Sequence, residues 1–552
     1  MKIALNFFLA FILLVNFGCK KSKQAESVIK DDDKEVPPPD PDTEPYKPTT
    51  NMLFVNTDGS LGYNFYANEG ETQKVNVVPD FSMAGYKGGG VALPNLSEVE
   101  ITLTPVVGDN LTQIQNAINQ IQNMPLKSDG FRGVILLKSG LYEVSNSIKI
   151  TKSGVVLRGE GQGENGTVLK ATRIAQHTLI EVSGTAVTNT RTLKKITTSY
   201  VGAGKKGFRV ESLAGIAAGD RIAIYKTPNQ QWINDLDMAQ YGWTASGYNT
   251  DFERKVIEIV GDSVVLDAPV VDPMQTKYGG GSIYKLNAHQ RVTQVGIENM
   301  RLTSVYASAE DEQHGWVAIE LKNAENCWIR GITALYFGYS AVSISTNSHY
   351  NTVEDCAMLD PKSVTTGGRK YSFNLEAGAS YNLFQRCFAR GGRHDFVTGS
   401  RVPGPNVFLD CVAIETNSDT GPHHRWATGL LFDNVSCGQL QVQNRKAMGS
   451  GHGWAGAQTL FFNCRSTKSN VKVESPKGAL NWGIGCVGLT KNGAGYWESW
   501  GTAVQPRSLY LAQLKDRLGN TAVENITISA QRIGNIDQLL KNWAGSGKLQ
   551  SN

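Results

Sequence analysis

A chain of 552 residues is longer than one ordinary hydrophobic core needs, so two domains or one elongated repeat architecture are expected. Hydrophobic residues make up 40% and charged residues 19%, which excludes a wholly disordered protein, and 58 glycines against 19 prolines point to many tight turns. The formal net charge of +4 is too small for this size to imply a nucleic-acid partner.

The chain opens with Lys2 and an apolar run from Ile3 to Val15 that only Asn6 interrupts. Residues 1–18 therefore read as a signal peptide, too short to span a bilayer comfortably. Cys19 directly after Gly18 resembles a bacterial lipobox, although Asn16 stands where that pattern prefers Leu. The resemblance implies lipidation of Cys19 and an exported lipoprotein anchored in the membrane, in the periplasm or on the outer-membrane surface. Residues 19–50, with Asp31-Asp32-Asp33 and Pro37-Pro38-Pro39, offer little to bury and read as a disordered, acidic and Pro-rich tether.

Residues 51–198 hold a capping helix and the first strands. Leu111, Ile114, Ile118 and Ile121 recur at helical spacing after Asp109, a good N-cap. "GVILLKSGLYEV" (133–144) and "GVVLRGEGQGENGTVL" (154–169) then read as short strands divided by glycine turns. Residues 199–292 break this pattern with strands around a loop holding Trp232 and Trp243, an inserted β subdomain. Residues 496–552 form a C-terminal cap, whose helix-like stretch 506–519 is expected to close the last coil.

Residues 293–495 repeat. Short apolar-polar runs end at Met300, Cys327, Cys356, Cys387, Cys411, Val435, Cys464 and Cys486, in steps of 27, 29, 31, 24, 24, 29 and 22 residues. Such a period, with β-branched and aromatic residues around each marker, fits the stacked coils of an all-β, single-stranded, right-handed parallel β-helix. It also accounts for the seven cysteines beyond Cys19 as a ladder of buried free thiols. With these features, the Pro79–Tyr86 segment and the strands at 133–169 resemble pectate-lyase-like β-helix proteins over roughly residues 76–540. The resemblance implies that fold and a polysaccharide-acting enzyme, in a superfamily that also holds hydrolases and phage tailspikes.

Four of the eight histidines fall within residues 394–452 among arginines and lysines. His424, Arg425, Lys446, His452, Arg393 and His394 are the candidate catalytic residues. His423, Arg445, Lys370, Arg401, Trp426, Trp454 and His314 are candidate substrate contacts. Counting from the markers puts Lys370, Arg401 and Arg425 at one offset in three successive coils, a basic stripe. Such a face suits an anionic polysaccharide. β-Elimination from a uronic acid needs cations on the carboxylate, a base for the C5 proton and an acid for the C4 oxygen. The expected activity is that of a polysaccharide lyase, acting as a monomer.

Two other readings remain open. Asp395 and Asp419 share an offset in successive coils, so they could form the acid pair of a polygalacturonase-type hydrolase or chelate Ca²⁺. Gly451-His452-Gly453 echoes those hydrolases, but their Asn-Thr-Asp and Asp-Asp elements are missing. A non-catalytic carbohydrate-binding solenoid is the other. Zn²⁺ on His423, His424 and His452 is not expected, because adjacent residues of a strand point apart. His177, His289 and His349 read as structural.

Overall fold

The computed structural model describes residues 51–550. The expected signal peptide, tether and lipidation at Cys19 lie outside the described residues. The chain winds into a right-handed parallel β-helix of three sheets. The first sheet stacks strands from Ile101–Leu103 through Thr352–Glu354, Leu383–Gln385 and Asn406–Leu409 to Tyr496–Glu498, all parallel. The second runs from Gly140–Val144 through Ala357–Leu359 and Phe388–Arg390 to Arg465–Ser466. The third runs from Ile148–Ile150 through Phe373–Leu375 and Phe396–Thr398 to Gly421–Pro422, and Leu440–Val442 joins it through the Thr420–Leu440 bridge.

The bend from first to second sheet needs one residue of positive φ per coil. Asn299, Asp355, Asp410, Asn434 and Asn463 supply it, residue types that tolerate the left-handed region. Arg386 is the bulky exception, fixed by Glu354 at 2.9 Å and Asp355 at 2.6 Å. Inside, Phe384, Phe408, Phe432 and Phe461 form one column with ring centroids 5.0, 5.0 and 5.2 Å apart. All seven described cysteines are free and buried. One marker is corrected. Met300 pairs with Ile332, and Thr333 with Ala357, so Ile332 is level with Cys356 and Cys327 is not in that ladder. The strand Trp328–Leu335 runs through both sheets, and Cys327 precedes it.

The helix Leu111–Asn123 buries Ile114, Ile118 and Ile121 on the first coil. Its N-cap is Asn110, although Asp109 accepts the Leu111 N–H at 3.1 Å. The C-terminal helix Leu509–Leu518 does not close the last coil, because Leu509, Tyr510 and Leu514 pack outside the first sheet on Leu431, Leu460 and Trp482. Trp497 and Trp500 pack against the core at that end instead. The helix Ile536–Trp543 similarly covers Leu359, Phe388 and Val412 of the second sheet. These apolar clusters take in no residue of the third sheet, where the site is found.

The inserted subdomain is a mostly antiparallel sheet around its own core of Phe208, Ile222, Val256 and Leu266. Arg221 and Arg291 join its Glu253 to Glu325 of the helix. Burial alone raises the Glu325 carboxyl, but the Arg221 hydrogen bond and both guanidinium charges hold it at about 2. A depressed carboxylate stabilises the fold fully above its unfolded value of about 4.3, and that gain is lost as pH falls towards about 2. It amounts to about 3 kcal/mol for this nearly buried group. Urea midpoints of wild type and Glu325→Gln should therefore lie far apart at pH ~6, differ about half as much at pH ~3 and converge only towards pH ~2. A gap that stays constant across this range rules the account out.

Candidate functional site

The loops flanking the third sheet bring most of the basic cluster together. Tyr371 precedes the strand Phe373–Leu375, and Arg393 and His394 precede Phe396–Thr398. Asp419 precedes Gly421–Pro422, with His423, His424 and Arg425 just beyond it. Arg445 and Lys446 follow Leu440–Val442 and pair with Gly453, beside His452. Ring centroids lie 4.0 Å apart for His394–His423, 4.8 Å for His423–His424 and 4.5 Å for His424–His452. The adjacent His423 and His424 therefore do not point apart, because both lie past the end of the strand.

The His452 loop depends on glycine. Gly449 has φ 62°, and a Cβ there would sit 2.2 Å from His452 Nε2. The inserted subdomain braces this loop, as Trp243 Nε1 donates to Gly451 O at 3.1 Å. Trp426 and Trp454 belong to the same bracing. Trp426 is buried with Trp232 and donates to Asp272 at 3.0 Å, and Trp454 donates to Leu236 O at 3.3 Å. The indole N–H of each is spent on the subdomain.

The other candidates separate. His314 is fully buried, with Ser304 at one ring nitrogen and the Asp311 and Lys362 carbonyls at the other, so it cannot touch substrate. Lys370 is level with Arg393, while the Arg401 N–H bonds the Arg425 carbonyl at 2.7 Å, so the three do not form one stripe. Lys370 donates to Thr365, and the exposed Arg401 reaches Gly247 O. The stripe fails because the loop before the third sheet differs between coils.

Tyr371 is the residue that marker counting missed. Its hydroxyl is 3.4 Å from His424 Nε2, and its ring packs 5.2 Å from His394. It lies two residues before Phe373, as His394 lies two before Phe396, and those phenylalanines are register partners. Alignment on the third sheet would have found it.

Burial first, then nearby positive charge, depresses the histidines: His424 to about 3, His452 and His394 to about 4, with His423 lower still. All four are neutral at about pH 7. Burial pushes the Tyr371 phenol up to about 12 against the pull of Arg393 and Arg445. Asp419 stays below the usual carboxylate range despite burial, because His394 and Arg445 favour its charge. Arg445 adjoins it, Arg393 lies near Tyr371 and His394, and Arg425 near His424 and His452, so the site attracts anions.

The carboxylates do not suit the two-acid or Ca²⁺ readings. Asp395 is buried, raised to about 7 by desolvation, and accepts from Ser372 Oγ at 2.7 Å. Both oxygens of Asp419 take the Arg445 guanidinium, at 3.0 and 2.8 Å. Asp395 is closed off by burial, although its Oδ2 has no partner among the described residues, and Asp419 is taken up by Arg445, so neither serves as a ligand or a nucleophile and no step through Ca²⁺ follows.

No family model and no curated protein matches the chain. Solved structures do resemble it. Polygalacturonase from Erwinia carotovora ssp. carotovora is 10% identical, with 75% of this chain and 98% of that one covered at a TM-score of 0.35. The tailspike of E. coli bacteriophage HK620, solved with a pentasaccharide, is 10% identical over 73% and 61% at 0.36. The ORF18 protein of Geobacillus virus E2 is 13% identical over 72% of this chain at 0.35, and the chain spans 59% of its length.

Proposed function

We propose that the protein acts on a polysaccharide, as a lyase that cleaves a uronate-containing polymer by β-elimination. The observation that carries this reading is a neutral His424 touching the Tyr371 hydroxyl beside the charges of Arg445 and Arg425. Arg393, Arg425 and Lys446 hold the uronate carboxylate and stabilise the enolate-like charge that develops as C5 loses its proton. His424 takes that proton, with His452 4.5 Å away as its neighbour. The bound carboxylate offsets the surrounding positive charge and raises the basicity of His424 at the moment it is needed. His424 then passes the proton it has taken to the C4 oxygen, the C4–O bond breaks and a C4=C5 double bond forms, while the buried Tyr371 hydroxyl, 3.4 Å from His424 Nε2, orients that ring. A glycosidase would need two free carboxylates across the sugar, which Asp395 and Asp419 do not provide. We further propose export and anchoring through Cys19, where such a polymer is met.

The test is a screen of alginate, pectate, chondroitin and ulvan-type polymers for products with the ultraviolet absorbance of an unsaturated uronate. Rising absorbance with one of them is the expected result. New reducing ends without absorbance would replace the lyase by a hydrolase.

A further inference from the structure

His423, His424 and His452 look like a metal site, since one nitrogen from each lies within 4.8 Å of the others. A histidine that ligates a metal offers a lone pair from one nitrogen and gives the N–H of the other to an acceptor. At His423 this order is reversed. Its Nδ1 lies 2.6 Å from Arg445 Nη2. A guanidinium only donates, so Nδ1 accepts and the proton of the neutral ring is on Nε2.

His394 shows the opposite setting one coil away. Its Nδ1 lies 2.6 Å from the Asp419 main-chain oxygen, which only accepts, so the proton is on Nδ1 and Nε2 keeps its lone pair. Two packed rings thus carry opposite tautomers, and Asp419 sets both. It acts on His394 through its carbonyl and on His423 through its carboxylate, which holds Arg445 in place. Arg445 is 5% exposed, and its buried Nε–H has no protein acceptor. A buried donor left unmet is costly, so the two Asp419 contacts are what hold this guanidinium in place.

We infer that the Asp419–Arg445 pair locks His423 as an Nε2–H donor to an anionic group on the sugar, and closes the three-histidine cluster to metal ions. His423 is then neither base nor ligand. The fixed charge of Arg445 opposes a dication at the same point. The tautomer rests on hydrogen bonding alone, whereas the identity of the anion as a uronate carboxylate rests on the lyase reading.

Ring-nitrogen NMR of histidine-labelled protein reads the tautomer whether or not any polymer is cut. His423 is expected protonated on Nε2 and His394 on Nδ1, and added glucuronate is expected to shift the His423 N–H signal. Calorimetric titration with Zn²⁺ alone is expected to show no site in the wild type. In the paired variant Asp419→Asn/Arg445→Met, which leaves no buried charge unpaired, the His423 lock is released and Zn²⁺ affinity should rise by about tenfold or more. Once a substrate is known, His423→Gln keeps a donor and should hold KM within about threefold, whereas His423→Ala should raise it about tenfold. A wild-type His423 protonated on Nδ1 would falsify the lock. So would a wild-type Zn²⁺ site that disappears in His452→Ala. Equal KM changes in the Gln and Ala variants, or no shift with glucuronate, would remove the donor role.

Discussion

His424→Ala is expected to lower kcat by about 10³-fold while leaving the fold intact, because a positioned general base contributes about 10²–10⁴-fold. The side chain is half-exposed at the loop beyond Gly421–Pro422, so its truncation opens no core cavity. Tyr371→Phe keeps the buried ring and removes only the hydroxyl that faces His424. Its loss should approach that of His424→Ala, and the double variant should be little worse than either, since the two groups serve one proton transfer. Progress curves at saturating polymer, with circular dichroism as the folding control, decide the matter. If His424→Ala keeps more than about a tenth of wild-type kcat, His424 is not the base. Fully additive losses would separate the two residues into independent roles.

The fold was legible because each coil repeats a marker at the same bend: the period, the buried cysteines and the capping helix all follow from one-dimensional pattern. Register was harder. Cys327 resembles the markers in type and spacing, yet only strand pairing shows that Ile332 holds the ladder position. The site was legible as a concentration of His and Arg and illegible in its pairings. Counting from the first sheet adds the variable loop before the third sheet to every offset, which grouped Lys370 with Arg401 wrongly and hid Tyr371. Trp426 and Trp454 read as sugar contacts because nothing in one sequence tells which surface the inserted subdomain covers. The Arg445–Asp419 pair was equally hidden, since it joins two coils 26 positions apart.

Asn382→Leu is expected to cost about 4 kcal/mol of stability, although the two side chains have the same branching and the same number of heavy atoms. Asn382 stands in a ladder of buried amides at the turn into the first sheet. Its Oδ1 accepts the Asn351 N–H at 3.2 Å and the Asn351 side-chain amide at 2.9 Å, and its own N–H reaches Asn406 Oδ1 at 2.9 Å. Asn351, Asn382 and Asn406 are all fully buried, so water cannot replace a lost partner. Leucine fills the space, which keeps the cavity term small, and leaves two donors of Asn351 without acceptors at about 1–3 kcal/mol each. The Ser348 carbonyl also loses the Asn382 amide at 3.0 Å. Burying a larger apolar side chain returns at most about 1–2 kcal/mol, less than the orphaned groups cost. Polar satisfaction therefore outweighs apolar burial at this position, and the coils are held in register by amides as much as by the phenylalanine column. Urea unfolding gives the difference directly. A loss below about 1 kcal/mol would mean that the turn relaxes and finds other partners, and would assign the register to the aromatic stack alone.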